Sequence, residues 1–259
     1  MQTNAELILG LGKDALLVVL GLIIPEVWGR WRRLATLRLR GYVFPTVGAD
    51  SGKPIIHIRA SFEEVSFGTN PPTLRGYTHA GDLQAVMNIY EAFDRLPVRI
   101  KFDYFAQITR EMRNIVIIGA SSRSDVSRDL GQELSARNIR ILGDGEHAHF
   151  RDSALVEYRC VHAEVDGRFI VTKDIGVIFR KRTETGALIL LCGGIHTFGS
   201  QAAAEVAALP EFQKRVRKAG YDQFVQFVTV EVIRLGPLAG LGIKDDTICW
   251  KDLPLERIA

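Results

Sequence analysis

The chain has little cysteine and little excess charge. Three cysteines in 259 residues are too few, and odd in number, for a disulfide framework, so a reducing compartment is indicated. The formal net charge is only +3, which does not favour general nucleic-acid binding. Internal repeats and low-complexity tracts are missing too. The balance of 47% hydrophobic and 24% charged residues is typical of a globular domain.

Two signatures of phosphate binding are also missing. Residues 119–127 read GASSRSDVS and lack the G-K-[ST] ending of a Walker A loop. None of the turns 78–82, 119–122 and 193–200 carries a full G-x-G-x-x-G fingerprint, so NAD(P) binding in the manner of dehydrogenases is not supported.

Continuous apolar sequence is longest near the N-terminus. Residues 15–24 read ALLVVLGLII, and the wider stretch 8–28 contains only three charged residues. Because about 20 apolar residues span a bilayer, we expect residues 1–33 to form a hydrophobic, single-pass transmembrane helix. A helix that packs on the domain or on a second subunit is the alternative. A cleavable signal peptide is not expected, since no A-x-A site follows the run.

Aromatic and basic residues flank this run. Trp28 and Trp31 would lie in an interfacial aromatic belt, and residues 27–49 contain five arginines and no acid: Arg30, Arg32, Arg33, Arg38 and Arg40. The positive-inside rule then places the remainder of the chain in the cytoplasm, beneath the inner membrane. Residues 34–53 are interpreted as a linker and 54–259 as the folded domain.

Beyond residue 54, β-rich runs alternate with helical patterns. Strands are expected at 55–61, 98–105, 114–119, 138–143, 187–192, 223–235 and 247–250, and helices at 81–96, 124–136, after 199 and at 210–220. In the first of these helices, the residues expected to face the core are Leu83, Val86, Met87, Tyr90 and Phe93.

These patterns predict an α/β fold. The apolar runs 114–119 and 187–192 are typical of parallel strands covered on both faces, and 138–143 would complete a β-α-β unit. Asp166-Gly167 lies between two β-rich runs and indicates a hairpin. We therefore expect a three-layer, Rossmann-like, mostly parallel sheet with an antiparallel hairpin extension.

Three turns lead from strands into helices, at 78–82, 119–122 and 193–200. In open α/β sheets such turns lie outside the carboxyl ends of the strands, where N–H groups and the helix dipole favour phosphate. The alternatives are helix capping for the serines and tight turns for the glycines. The predicted ligand-binding residues are Gly81, Gly119, Ser121, Ser122, Gly193, Gly194, Thr197, Gly199 and Ser200.

The segment 187–206, ALILLCGGIHTFGSQAAAEV, resembles the strand, paired glycines, G-[ST] turn and helix of Rossmann-like nucleotide-binding families of the SLOG type. That resemblance implies a nucleotide or a nucleotide derivative as ligand. It departs from the family pattern in the four residues Ile195–Phe198 between the glycines. The whole arrangement, from basic-flanked anchor to GGIHTFGS turn, is also similar to bacterial membrane-anchored proteins without an established activity.

An enzyme is a second interpretation. His196, Asp82 and Glu205 could act as acid or base groups around one ligand, as in a hydrolase of a nucleotide or an NAD-like substrate. For Asp82 and Glu205, helix capping and a favourable first-turn charge are the structural alternatives, and both are favoured over catalysis.

A metal centre is a further hypothesis. His147 and His149 form one x-separated pair, and Cys160 and His162 form another. Four such ligands would suit Zn²⁺, but the spacings are not those of a zinc finger or ribbon, and a polar loop explains GDGEHAHFRD as well. The sequence identifies no cofactor, and zinc is disfavoured.

The function that the sequence favours is a membrane-anchored cytoplasmic sensor of a nucleotide or related phosphorylated molecule. Such a sensor is expected to form homo-oligomers. A nucleotide-hydrolysing enzyme and a non-catalytic scaffold or interaction domain are the two alternatives.

Overall fold

A computed structural model describes most of the second half of the chain and parts of the first. The described residues are 25–44, 55–60, 63–67, 73–77, 80–94, 96, 99–102, 114–119, 140–142, 149–151, 154–165, 168–182, 186, 188–236 and 240–258. The chain divides into two units, Met1–Leu39 and Arg40–Ala259.

The first unit contains a helix with an exposed aromatic pair. Helix α1 covers the described residues 25–40. Trp28 and Trp31 stack with their ring centroids 5.2 Å apart, and both are more than half exposed. Among the described residues, no helix has the length and apolar character needed to span a membrane. The apolar run 15–24 lies outside the described residues.

The second unit contains three further helices and fourteen strands among its described residues. The helices are α2 (Ala80–Phe93), α3 (Thr197–Ala208) and α4 (Pro210–Ala219). The strands are β1 (Ile55–Ala60), β2 (Glu63–Phe67), β3 (Thr73–Tyr77), β4 (Arg99–Phe102), β5 (Asn114–Ile118), β6 (Arg140–Leu142), β7 (His149–Arg151), β8 (Glu157–Arg159), β9 (Val161–Val165), β10 (Arg168–Arg182), β11 (Leu188–Gly194), β12 (Phe224–Gly236), β13 (Gly240–Ile243) and β14 (Leu255–Arg257). A 3-10 helix covers Asp245–Thr247.

The main sheet is mixed, with the order β13-β12-β10-β11-β5-β1-β4. Strands β4, β1, β5 and β11 are mutually parallel, whereas β10 and β12 pair antiparallel, as do β9, β13 and β14 with them. The prediction of an α/β fold is confirmed. The prediction of a mostly parallel sheet is wrong, because the long strands β10 and β12 carry antiparallel partners on both sides.

Helices cover one face of this sheet. Helix α3 packs on β10, β11 and β12, while α2 packs on α3 and contacts β1 and β5. The sequence of α3 suits this position, since its alanines favour a helix and allow close approach to the sheet. Helix α4 follows directly and ends at Gly220, whose φ of 68° is the left-handed conformation of a helix C-cap.

Aromatic side chains from the small sheet β6-β7-β8 cover the other face. Phe150 and Tyr158 lie against Phe227 of β12, with ring centroids 5.8 Å and 4.8 Å away. Because alternate residues of a strand point to opposite faces, Ile175 and Val177 of β10 join this cluster while the residues between them face α3.

Strand β6 differs from the prediction. A strand within 138–143 is confirmed, but it pairs antiparallel with β7 and not parallel with β5, so it completes no β-α-β unit in the main sheet. The predicted helix 124–136 lies outside the described residues. The predicted hairpin at Asp166-Gly167 is confirmed by the antiparallel pairing of Val165 with Arg168.

The predicted inner face of α2 is wrong in part. Val86 and Phe93 are buried, but Leu83, Met87 and Tyr90 are about half exposed. The helix buries the neighbouring stripe instead: Gly81, Asp82, Ala85, Val86, Ile89 and Phe93. The physical reason is the contact with α3, which requires small residues at the crossing.

Two predicted boundaries also differ from the structure. Helix α1 continues through residue 40, and Val43 and Phe44 are fully buried, so the core begins inside the predicted linker. In place of a strand at 247–250, Thr247 ends the 3-10 helix and Cys249 forms an isolated bridge with Thr229, and the last strand is β14.

Candidate functional site

The carboxyl ends of the parallel strands form one edge of the main sheet. Strands β5 and β11 end there at Ile118 and Gly194, and Ala60 ends β1 beside them. Gly119 follows β5 with a φ of 86°, and its N–H donates to the carbonyl of Cys192 at 2.9 Å. Two of the predicted turns, 119–122 and 193–200, therefore start side by side at this edge.

Helix α3 begins at this edge, and a buried carboxylate caps it. Asp174 of β10 is fully buried, and its Oδ2 accepts the N–H of Gly199 at 2.5 Å. Its Oδ1 accepts the N–H of His196 at 3.2 Å and of Ile175 at 2.8 Å. The side chain of Cys160 donates to the same Oδ1 at 3.1 Å. Asp174 thus supplies the cap that the N-cap residue His196 does not.

Asp174 was missing from the predicted site residues. An isolated acid in a β-rich run is more often a solvated side chain, and this run, FIVTKDIGVIF, does not distinguish the two cases. The carboxylate accepts N–H groups at the start of α3 that were expected to bind an anion, so these groups already have an anionic partner.

Three glycines at this edge are required by backbone packing. A Cβ on Gly176 would collide with the carbonyl of Gly199, and a Cβ on Gly199 would collide with the carbonyl of Ile175. A Cβ on Gly194 would collide with the carbonyl of His196 and the N–H of Ser200. Close contact of the start of α3 with β11 explains Gly194, and its contact with β10 explains Gly199, without a ligand. Gly193, paired with Val177, and Ser200 are both buried.

The third predicted turn also reaches this edge, at the start of α2. A Cβ on Gly81 would lie 2.6 Å from the carbonyl oxygen of Thr197, so the first turns of α2 and α3 are in contact. The hydroxyl of Thr197 donates to Oδ1 of Asp82 at 3.4 Å. Asp82 therefore joins the two helices. Because its side chain is only 3% exposed, it does not present an acid or base group to solvent.

Two imidazoles face each other beside the α3 cap. His162 lies on β9, in the hairpin that extends past the end of β11, and its Nε2 is 3.3 Å from Nε2 of His196. Both rings are half-buried, and their centroids are 5.3 Å apart. Burial lowers the pKa of His196, His162 lowers it further and Asp174 opposes the change. His196 is therefore a neutral imidazole at pH 7.

Cys160 is not prepared for nucleophilic attack. Burial raises the pKa of its thiol, and the neighbouring Asp174 raises it further. The thiol stays protonated and acts as a hydrogen-bond donor in the core.

Glu205 does not lie at this edge. Helix α3 starts at Thr197, which places Glu205 eight residues later, about 12 Å along the axis. Burial raises the pKa of Glu205, and Asp245 raises it further. The sequence placed Glu205 in the first turn of its helix, on the same rim as His196. This prediction is wrong because the helix already starts at Thr197, so Glu205 lies beyond the first turn.

The predicted metal ligands have separate partners. Nε2 of His149 is 3.6 Å from Glu157, whereas Cys160 contacts Asp174 and His162 contacts His196. Over the described ranges, no group of three or more His, Cys, Asp or Glu side chains is arranged to hold a metal ion. His147 lies outside the described residues, as do Ser121 and Ser122 of the second turn.

No protein-family model matches the chain, and neither a curated protein nor a solved structure matches it. Function therefore has to be inferred from the side chains at this edge.

Proposed function

We propose that the unit Arg40–Ala259 is a sensor domain that binds a nucleotide or a related phosphorylated small molecule at the carboxyl edge of β1, β5 and β11. The observation that carries this proposal is the meeting of Gly119 at the end of β5, the turn 193–200 and the start of α2 at one edge, with His162 and His196 beside them. A ligand outside the carboxyl ends of parallel strands is the arrangement of a Rossmann fold, and in this respect we interpret the parallel half of the sheet as Rossmann-like. The SLOG-type resemblance of residues 187–206 supports the same ligand class.

The charge distribution favours one position for the phosphate. Asp174 already accepts N–H groups of His196 and Gly199, so a second anion at the start of α3 would be repelled. We place the phosphate at Gly119 and at the two serines that follow it in sequence, Ser121 and Ser122. The neutral ring of His196 can then donate to or accept from a sugar or base.

Sensing is favoured over catalysis. Of the three predicted acid or base groups, Asp82 is buried between helices and Glu205 lies toward the far end of α3. Only His196 remains beside the proposed ligand, and burial keeps its pKa low. Without Asp82 or Glu205 beside it, the neutral ring of His196 supports recognition better than a paired acid–base reaction.

We also propose that the N-terminal segment attaches the domain to the inner membrane, with the domain in the cytoplasm, and that chains associate there as homo-oligomers. Its support is the apolar run 15–24, followed by the exposed Trp28–Trp31 pair. The guanidinium of Arg32 lies 5.6 Å from the ring of Trp28, an arrangement suited to an anionic lipid interface. Replacing Leu17 and Val19 by Asp should move the protein from the membrane fraction to the supernatant.

A thermal-unfolding screen of the full chain in detergent tests ligand binding. Adenosine, inorganic phosphate, mono-, di- and cyclic nucleotides and NAD are compared. At a concentration about 100 times Kd, a bound ligand adds about 2.7 kcal/mol and should raise Tm by about 5–10 °C. A double variant, Ser121→Asp with Ser122→Asp, should abolish the response to phosphorylated ligands.

The matched control is Asp252→Ala, a change of charge at an exposed position in the C-terminal segment, which should respond like the wild type. Turnover of the ligand that depends on His196 would establish the enzyme instead. A folded chain whose Tm no nucleotide changes would establish the scaffold and reject the proposal.

A further inference from the structure

We infer that His162 and His196 form a binding site for one first-row transition-metal ion such as Zn²⁺ or Co²⁺. This inference does not rest on the proposed nucleotide function. It joins a histidine of the β9–β10 hairpin to the N-cap residue of α3, a pair that their sequence positions do not connect.

The distance between the two nitrogens suits a shared ion. With Zn–N bonds of about 2.0–2.1 Å and a tetrahedral angle, two imidazole nitrogens on one ion lie about 3.3–3.4 Å apart. The observed Nε2 separation is 3.3 Å. The ring centroids are farther apart, at 5.3 Å, so the two Nε2 atoms are the parts of the rings that face each other.

The donor type also suits a metal. An imidazole whose proton is on Nδ1 offers the lone pair of Nε2, and in both histidines Nε2 is the atom that faces the other ring. Imidazole nitrogen is a preferred ligand of Zn²⁺, Co²⁺, Ni²⁺ and Cu²⁺.

The surroundings favour a cation and leave it accessible. The carboxylate of Asp174 contacts the backbone N–H of His196, and its described donors are neutral N–H and S–H groups, so its charge attracts a nearby dication. Both histidine side chains are half-buried and so are reachable from solvent. Two protein ligands leave two positions of a tetrahedral ion open for water or for an exogenous ligand.

Metal titration of the untagged full chain, stripped with a chelator and free of nucleotide, tests the site. Co²⁺ should bind with a stoichiometry of one per chain and give the visible absorption of a four-coordinate ion with nitrogen ligands. Zn²⁺ should displace it and raise Tm by several degrees. His162→Gln and His196→Gln should each weaken Co²⁺ binding at least ten-fold, while the matched control His149→Gln should bind like the wild type.

A gain-of-function variant covers the case in which His196→Gln does not fold. His162→Cys replaces one nitrogen by a thiolate on the β9 strand, and it should add a sulfur-to-cobalt charge-transfer band in the near ultraviolet. The inference is overturned if the folded wild type binds no Co²⁺, or if a folded His162→Gln variant retains wild-type affinity. Failure of every nucleotide to bind would leave these results unchanged.

Discussion

At the scale of single residues, Asp174 organises the proposed binding edge. Its two oxygens accept backbone N–H groups from β10 and from the first turn of α3, and the thiol of Cys160 completes the arrangement. A buried carboxylate is stable only where such donors surround it. The same contacts hold His196 in place beside His162.

Replacing Asp174 by Ala should therefore destabilise the domain. The change leaves buried N–H groups of Ile175, His196 and Gly199 without their acceptor, which should cost about 2–4 kcal/mol in free energy of unfolding. Urea unfolding followed by circular dichroism measures this loss. The exposed carboxylate of Asp252 provides the control, since Asp252→Ala should change stability by no more than about 0.5 kcal/mol. Equal effects of the two variants would contradict the capping role.

The lowered pKa of His196 predicts a dependence of stability on pH. In the unfolded chain the imidazole has its ordinary pKa near 6.5, so below about pH 6.5 the unfolded state binds more protons than the folded state. Stability from this group is complete above that pH and is lost as the pH falls. Comparison of Tm at pH 7.5 and pH 5.5 should show a smaller decrease in His196→Gln than in the wild type. An unchanged decrease would show that another group is responsible.

At the scale of elements, the contact between α2 and α3 decides which face of α2 is buried. Ile89 is fully buried, whereas Met87 is 47% exposed. Ile89→Ala should cost about 2–5 kcal/mol in free energy of unfolding, because it leaves a cavity against the neighbouring elements. Met87→Ala, a comparable truncation on the same helix, should cost less than about 1 kcal/mol. Denaturant unfolding of both variants measures these two costs. A larger cost for Met87→Ala than for Ile89→Ala would mean that α2 is rotated about its axis and buries the other face.

The close approach of α3 to β10 makes a second prediction at this scale. In Gly176→Ala the new Cβ meets the carbonyl of Gly199 and lies 3.1 Å from the Cβ of Ala203, so the helix must move away from the sheet. We expect a loss of at least about 2 kcal/mol. Gly29→Ala is the control, because nothing lies within 4 Å of its Cβ and alanine favours helix α1. A neutral Gly176→Ala would show that this contact is looser than described.

Local sequence patterns predicted where helices and strands lie better than they predicted which strands pair and which helix faces are buried. The apolar run of β5 and the strand–glycine segment of β11 were recognisable because nearly every residue is apolar, and Asp166-Gly167 correctly indicated a hairpin. Pairing depends on distant segments, so β6 was assigned to the wrong sheet. Helix α2 has two apolar stripes, and the choice between them depends on α3, which lies more than 100 residues later.

The site was predicted in part for the same reason. The glycine turns were visible as composition, and two of them do start at adjacent strand ends. The roles of Asp174 and Asp82 and the pairing of His162 with His196 depend on tertiary contacts between residues that are 20 or more positions apart. No local spacing could have indicated them.

At the scale of the whole molecule, positive charge is concentrated in one segment near the N-terminal end of the sequence. Five arginines lie between residues 27 and 49, and they account for more than the net charge of +3, so the remainder is slightly acidic. From this charge distribution we expect no general binding of nucleic acid. Binding of a phosphorylated ligand must then depend on local N–H donors, on the two histidines and on any cation that they hold.

The central claim is that a phosphorylated ligand binds at the carboxyl edge of the parallel strands, and hydrogen–deuterium exchange of the full chain with and without nucleotide locates that ligand directly. We predict slower exchange in residues 117–123 and 194–200, with no change in β13 and β14, which belong to the antiparallel half. Slower exchange confined to β13, β14 or the 3-10 helix, or no change anywhere at saturating nucleotide, would contradict the proposed site.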